Sequence, residues 1–330
     1  MAPSARAWIF SLVFVGSSAS AGGLDDPMAP LAPDPSTVYR PVQRPIRLPV
    51  EISAQHGIFV QASLNGSRPL WFLLDSAGGS PLIVDQRRAV EMKLPVDGKG
   101  LGIGAGEELF QVTYSQGVSI NVAGLQLNDQ IVAATPLDNL RRYAGRDLDG
   151  ILGYGLFSRF VVEVHYASGT VNLYEPGSYQ YTGRGQILPA TLDGKHFCIT
   201  AKINIDGVGP LDAKLMVDTG AGQILTTLNT PYVDSHRLLS DQWNKATSRI
   251  QVGLGGETRV FAAHARALEL GRFVFHDLTV ELSRDRRGLM ASADFDGILG
   301  GEMLRRFKVI FDHSRQRIIL EPEPQMAGLY

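Results

Sequence analysis

A mostly β fold, written as two related halves with a few short helices, is what this sequence predicts. Three observations carry that expectation. Apolar residues alternate with a period of two along most of the chain and seldom recur at helical spacing. Glycine and proline are plentiful, 36 and 18 in 330 residues, as turn-rich β proteins require. Two landmarks also recur at nearly one offset. Asp75 and Asp218, each closing an apolar run, are 143 residues apart, and the aspartates of two Asp-Gly-Ile-Leu-Gly segments, Asp149 and Asp296, are 147 apart. Two independent landmarks at one spacing indicate a unit written twice, and such a repeat fixes the architecture.

The elements follow in order. Arg6 precedes "AWIFSLVFVG", and small residues at Ala19 and Ala21 come next, the layout of a cleavable signal peptide over residues 1–21. The apolar stretch is too short to favour a membrane span, with an uncleaved anchor as the alternative. Residues 22–47 hold six prolines and read as an extended leader, with order beginning near Leu48. The first half then occupies 48–180 and the second 181–330. "VQASLNGSRPLWFLLDSAGG" (60–79) aligns with "ITAKINIDGVGPLDAKLMVDTGAG" (199–222). Each has a strand, a turn at Asn-Gly or Asp-Gly, a second strand and an aspartate. Asn65-Gly66-Ser67 is therefore read as a β-turn. The segments "DLDGILGYGLFSRFVVEVHYASGTVNLYEP" (147–176) and "DFDGILGGEMLRRFKVIFDHSRQRIILEPE" (294–323) align likewise, each ending in a hairpin. Short helices are expected at 154–160 and 301–307, with another at 234–246. The polar run 177–185 reads as a linker between lobes.

Composition closes off several functions. The chain is 44% hydrophobic and 19% charged with a formal net charge of −2, and its densest basic run, "RDRRG" at 284–288, reads as a solvated loop. Nucleic-acid binding has no electrostatic support. The single cysteine, Cys198, permits no intrachain disulfide and sits in an alternating strand, as a buried small hydrophobe does. The seven histidines form no metal-ligand spacing, so neither metal nor cofactor is expected. The glycines of "GKGLGIGAG" (98–106) miss dinucleotide-binding spacing, and no nucleophile elbow is present.

The chemistry sits at the two aspartates. A carboxylate ending a core strand is costly to bury alone. Two of them meeting across an approximate twofold axis hold one proton between them, because close like charges resist joint ionisation. One member then takes a proton from water while the other donates to a carbonyl oxygen. The small residues Ala77 and Gly220 let the backbone turn and aim N–H groups at the carboxyls, and the hydroxyls of Ser76 and Thr219 are placed to tie each loop to the opposite half.

The "VDTGA" segment at 217–221 resembles the hydrophobic-Asp-Thr/Ser-Gly-Ala/Ser signature of pepsin-like and retroviral-type aspartic proteases, and "LLDSAGG" at 73–79 is similar to a second copy. "DGILG" at 149–153 and 296–300 resembles the element that packs beside each catalytic loop in that family. The similarity runs from about residue 50 to 322 and is closest to bacterial, exported, retropepsin-like proteins with two fused halves. It implies duplicated pepsin/retropepsin-like β-barrel lobes about a central cleft. It also implies catalytic Asp75 and Asp218, one per half, with Asp149 and Asp296 structural. The first motif departs from the pattern by carrying Ala77 where the family has Gly. The resemblance makes "GKGLGIGAG" and "GLGGE" (253–257) either flaps over the cleft or plain surface turns. The expected activity is endopeptidase, acting on a peptide or protein substrate, in a monomer secreted or held in the periplasm and free of the membrane after signal cleavage. The alternative is a catalytically impaired peptide-binding protein of the same fold.

Overall fold

The computed structural model describes residues 45–78, 82–193, 196–239 and 247–324. It also describes two short leader strands, β1 (Ala7–Trp8) and β2 (Leu12–Val15). Among the described residues the fold is mostly β, 54% strand and 12% helix, with five short helices.

Six strands close the first barrel: β4 (Ile58–Leu64), β5 (Leu70–Leu74), β6 (Leu82–Asp85), β8 (Phe110–Val122), β9 (Leu125–Thr135) and β10 (Gly150–Leu152). β4 runs antiparallel to β5, and β5 parallel to β10. β10 is antiparallel to β6, β6 parallel to β9, β9 antiparallel to β8, and β8 returns to β4. Closure leaves the barrel no free edge. The turn between β4 and β5 puts Asn65 at φ 48° and Gly66 at φ 74°, the left-handed pair that a tight hairpin requires.

The second half closes the same circuit with β14 (His196–Ile205), β15 (Gly209–Val217), β16 (Thr226–Leu228), β18 (Gly256–Leu270), β19 (Phe273–Ser283) and β20 (Gly297–Leu299). Its pairings are β14–β15, β15–β20, β20–β16, β16–β19, β19–β18 and β18–β14, parallel and antiparallel at the same places. Cys198 is buried in β14.

A third sheet joins the barrels. Its order is β3 (Ile46–Ile52), β12 (Thr170–Tyr174), β11 (Val161–His165), β21 (Phe307–Asp312), β22 (Arg317–Pro322) and β13 (Gln186–Asp193), crossing between the halves at β11–β21. β3 continues into β4 of the first barrel and β13 into β14 of the second. β3 opens before Leu48, because Ile46 already pairs with Leu173. Residues 177–185 are more than a linker. Tyr179 is buried with Val161, Ile310 and Ile319, and the Tyr181 hydroxyl donates to Glu321 at 2.9 Å.

Helices differ from expectation in extent. α1 (Gln86–Glu91) starts where the Asp85 carboxylate accepts from Arg87 N. α2 (Asp138–Ala144) stops at Gly145, φ 60°. α3 (Tyr154–Phe157) and α5 (Gly301–Leu304) fall at the expected places but last one turn, since strands resume at Val161 and Phe307. The helix expected at 234–246 is α4 (Thr230–Ser235), moved upstream because Asn229 caps it; residues 240–246 lie outside the described residues.

Where the halves meet, Phe157 of the first half stands edge-on to Phe311 of the second, ring centroids 5.1 Å apart. Beside them the His313 ring lies 4.0 Å from Phe197, with both ring nitrogens buried and unpartnered. Burial holds its pKa down to about 4 from 6.5, against a weaker upward pull from Asp312. A histidine held neutral in the fold lends stability that is whole above its unfolded pKa of 6.5 and is lost as pH falls toward 4. His313→Phe is thus expected to leave Tm unchanged at pH 7.5 and to add about 3 kcal/mol near pH 4, measured by calorimetry across pH.

Candidate active site

Each aspartate ends a buried strand of its barrel, β5 for Asp75 and β15 for Asp218, and both are fully buried. The downstream Ile-Leu-Gly strands hold them there. Asp75 N donates to Leu152 O at 3.0 Å and Asp218 N to Leu299 O at 2.9 Å. One strand turn earlier, Asp149 accepts from Trp71 N at 2.9 Å and Asp296 from Lys214 N at 2.7 Å. Asp149 also takes Arg88 Nε at 2.7 Å. These two carboxylates therefore fasten the strands that carry the loops and lie away from the pair.

The loops are cross-tied. Ser76 Oγ donates to Val217 O at 2.8 Å and accepts from Thr219 N at 3.0 Å. Thr219 Oγ1 donates to Leu74 O at 2.8 Å and accepts from Ser76 N at 2.9 Å. Four buried hydrogen bonds thus exchange between the halves, each side chain serving the opposite backbone. The carboxyls are oriented from their own loops: Ala77 N donates to Asp75 Oδ1 at 2.9 Å, and Gly220 N and Ala221 N to Asp218 Oδ1 at 2.8 and 3.1 Å. All six residues singled out in the sequence are brought together here.

The Asp75 carboxyl lies within reach of the charge of Asp218, and its Oδ2 is buried with no hydrogen-bond partner. The Asp75 carboxyl is pushed well above the usual carboxylate range, first by burial and then by the charge of Asp218, with the Ala77 and Gly78 N–H groups pulling the other way. Asp75 therefore holds a proton where an isolated carboxyl has lost it.

The departure at Ala77 is absorbed. Its methyl is fully buried in an apolar cluster supplied mainly by the second barrel, including Met216, Ala221 and Ile224. The other half is stricter. A Cβ on Gly220 would stand 2.6 Å from Asp75 Cγ and 2.8 and 2.9 Å from its oxygens. Gly220→Ala is expected to displace the Asp75 carboxyl and lower kcat about 10²-fold, the cost of a misplacement on the order of 1 Å. Gly78→Ala, whose nearest neighbour would be backbone at 3.3 Å, is expected to cost far less in the same steady-state assay.

Two hairpins meet, and Ala105, in the turn of the first, shares an apolar cluster with Ala77 and Ala221. One joins β7 (Gly98–Gly104) to β8, and the other joins β17 (Ser248–Gly253) to β18. Their tips bond to each other, Gly106 N to Leu254 O at 2.8 Å and Glu108 N to Gly255 O at 2.9 Å. The two tips are in contact with each other and are not isolated surface turns. The "RDRRG" loop departs from expectation too: Arg286 N donates to Glu107 of the first hairpin at 2.6 Å, and Asp285 is buried, its pKa pushed up to about 7 by that burial. No apolar periodicity marks this loop, so sequence patterning misses it.

Residues 60–156 match the family model described as Aspartyl protease, a span that includes Asp75 and the first Asp-Gly-Ile-Leu-Gly segment. No curated protein matches the chain.

Proposed function

We propose that the chain is an aspartic endopeptidase built by tandem duplication, with Asp75 and Asp218 as its catalytic pair. One observation carries the reading. Two fully buried carboxyls, one from each barrel and close enough for the charge of Asp218 to raise Asp75, follow strands whose loops are tied by reciprocal hydrogen bonds between Ser76 and Thr219. Burying two unneutralised carboxylates has no structural return, whereas a shared proton makes the pair an acid and a base at once.

In this mechanism the ionised member removes a proton from a water lying between the carboxyls, and the water oxygen attacks the scissile carbonyl carbon. The protonated member gives its proton to the carbonyl oxygen, forming a tetrahedral diol. Collapse breaks the C–N bond as the now protonated carboxyl gives its proton to the leaving nitrogen and the other carboxyl takes one from a diol hydroxyl, so the pair again holds a single proton. The two roles belong to the pair, which titrates as a unit. The Ala77, Gly220 and Ala221 N–H groups keep the carboxyls turned toward the water.

The substrate is an extended peptide. Both hairpins pair with extended backbone at their edges: β2 lies antiparallel to Leu101–Gly104 and β1 parallel to Gln251–Val252. The apolar leader fits export, with the monomer working outside the cytoplasm after removal of residues 1–21.

Two measurements test this. A peptide library digested at pH 3–7 and read by mass spectrometry yields internal cleavages. A statine-containing peptide, which mimics the diol, raises Tm through about 2.7 kcal/mol of linkage at a hundred times its Kd. Tm elevation without any cleavage makes the chain a peptide-binding module, and neither effect removes the reading.

A further inference from the structure

The turn between β17 and β18 belongs to the second barrel, yet its large side chain is housed by the first. Leu254 is 4% exposed and shares an apolar cluster with Val112, Ala133, Leu137 and Leu140 of the first barrel. It forms one wall of a cavity of about 290 Å³ whose other walls include Gln111, Thr113, Asn139 and Leu140. The first hairpin reaches the opposite way, where Ala105 lies in the second barrel's cluster with Met216, Ile224 and Met290. The exchange is unequal, a leucine in one direction and a methyl in the other.

The surroundings of Leu254 are built for both docking and release. Gly104 and Gly106 bring the first hairpin against its backbone so closely that a Cβ on Gly104 would stand 2.3 Å from Leu254 O. Glycines flank it, and Gly255 and Gly256 hold φ of 86° and 104°, a region that favours glycine. With no side chain at either position, the turn can rotate there once its two hydrogen bonds to the first hairpin break. The aspartates are fully buried, so a ligand reaches them only after the closed structure opens.

We propose that Leu254 is the resident occupant of a side-chain pocket on the first barrel, and that an aliphatic, leucine-sized side chain of an extended peptide enters that pocket by displacing it. The identity of the incoming ligand rests on the peptidase reading; the self-occupied pocket rests on the packing alone. Leucine leaving the cluster exposes apolar surface that a side chain of like size covers again, so exchange costs less than opening onto water. The interlocked backbones make the parting of the two hairpins one event.

The full-length protein serves for the test. Hydrogen exchange reports the Gly106 and Glu108 amides without any substrate, and stopped-flow fluorescence reports the association rate of a labelled statine hexapeptide with leucine-type side chains. Leu254→Ala is expected to speed exchange at both amides, and peptide association, by at least about tenfold, the consequence of removing a buried leucine's packing. Leu140→Ala, on the pocket wall, is expected to speed exchange likewise, and Leu254→Met to restore wild-type rates. Unchanged exchange in Leu254→Ala overturns the proposal, as does faster exchange with an unchanged association rate. Faster exchange in a protein that binds no peptide upholds the self-occupied pocket and removes the peptidase reading instead.

Discussion

Asp75→Asn and Asp218→Asn are each expected to lower kcat for peptide cleavage by at least about 10³-fold, with the double variant no worse than either single one. The amide keeps the shape of the carboxyl. In Asp75→Asn the amide oxygen still accepts from Ala77 N, so the loop geometry survives. What disappears is the ability of the pair to hold one proton and pass it on, and both members are needed for that. The same change has an opposite effect on stability. The Asp75 carboxyl is held protonated beyond the usual range by burial and by Asp218, so the fold binds a proton that the unfolded chain has released. That contribution is whole below the unfolded value of 3.8 and is lost as pH rises through the raised folded value. Asp75→Asn is therefore expected to raise Tm at pH 7 and leave it unchanged near pH 3. Steady-state kinetics and calorimetry on one preparation check both halves. A variant that loses activity while gaining neutral-pH stability separates a catalytic carboxyl from one that merely closes a strand, whose removal lowers both.

Much of this arrangement is legible in the sequence because its signals are local. An apolar run that stops at an aspartate followed by small residues marks a core strand turning at the floor of the molecule. Its recurrence at one offset pairs it with a counterpart. The Asp-Gly-Ile-Leu-Gly segments are equally plain, since Gly150 and Gly153 each stand where a Cβ would strike backbone within 2.6 Å. What escaped was set by long-range packing. Residues 177–185 look like a linker because Tyr179 and Tyr181 carry both a ring and a hydroxyl, and only the joining sheet decides that one ring is buried. α2 has no side-chain cap to announce it. Leu254 sits in a glycine-rich turn of one half while its cluster partners Val112, Ala133, Leu137 and Leu140 are 142 to 114 residues earlier (254 − 112 and 254 − 140), and no periodicity within a segment records that contact. The buried Asp285 inside a run of arginines is hidden for the same reason.

Thr219→Val is the sharpest test of how the pair is held. Valine keeps the shape of threonine and removes one hydroxyl, which here performs two tasks at once. Thr219 Oγ1 accepts from Ser76 N at 2.9 Å and donates to Leu74 O at 2.8 Å, across the boundary between the barrels. Removing it leaves a buried N–H and a buried carbonyl unpaired, each costing roughly 1 to 3 kcal/mol, so about 4 kcal/mol of stability is expected to go. Both groups flank Asp75, so the loss falls on the loop that positions that carboxyl. Thr219→Ser, which keeps the hydroxyl, is expected to retain most of the stability and activity. Ser76→Ala is expected to resemble Thr219→Val, because Ser76 Oγ serves Val217 O and Thr219 N in the same way. The double variant Ser76→Ala/Thr219→Val is expected to cost less than the sum of the two, since the two hydroxyls support one junction and its second half is already loosened when the first is lost. Urea denaturation of the four proteins measures that coupling. Strict additivity would mean that the two halves are tied independently and that the reciprocal hydrogen bonds do not act as a unit.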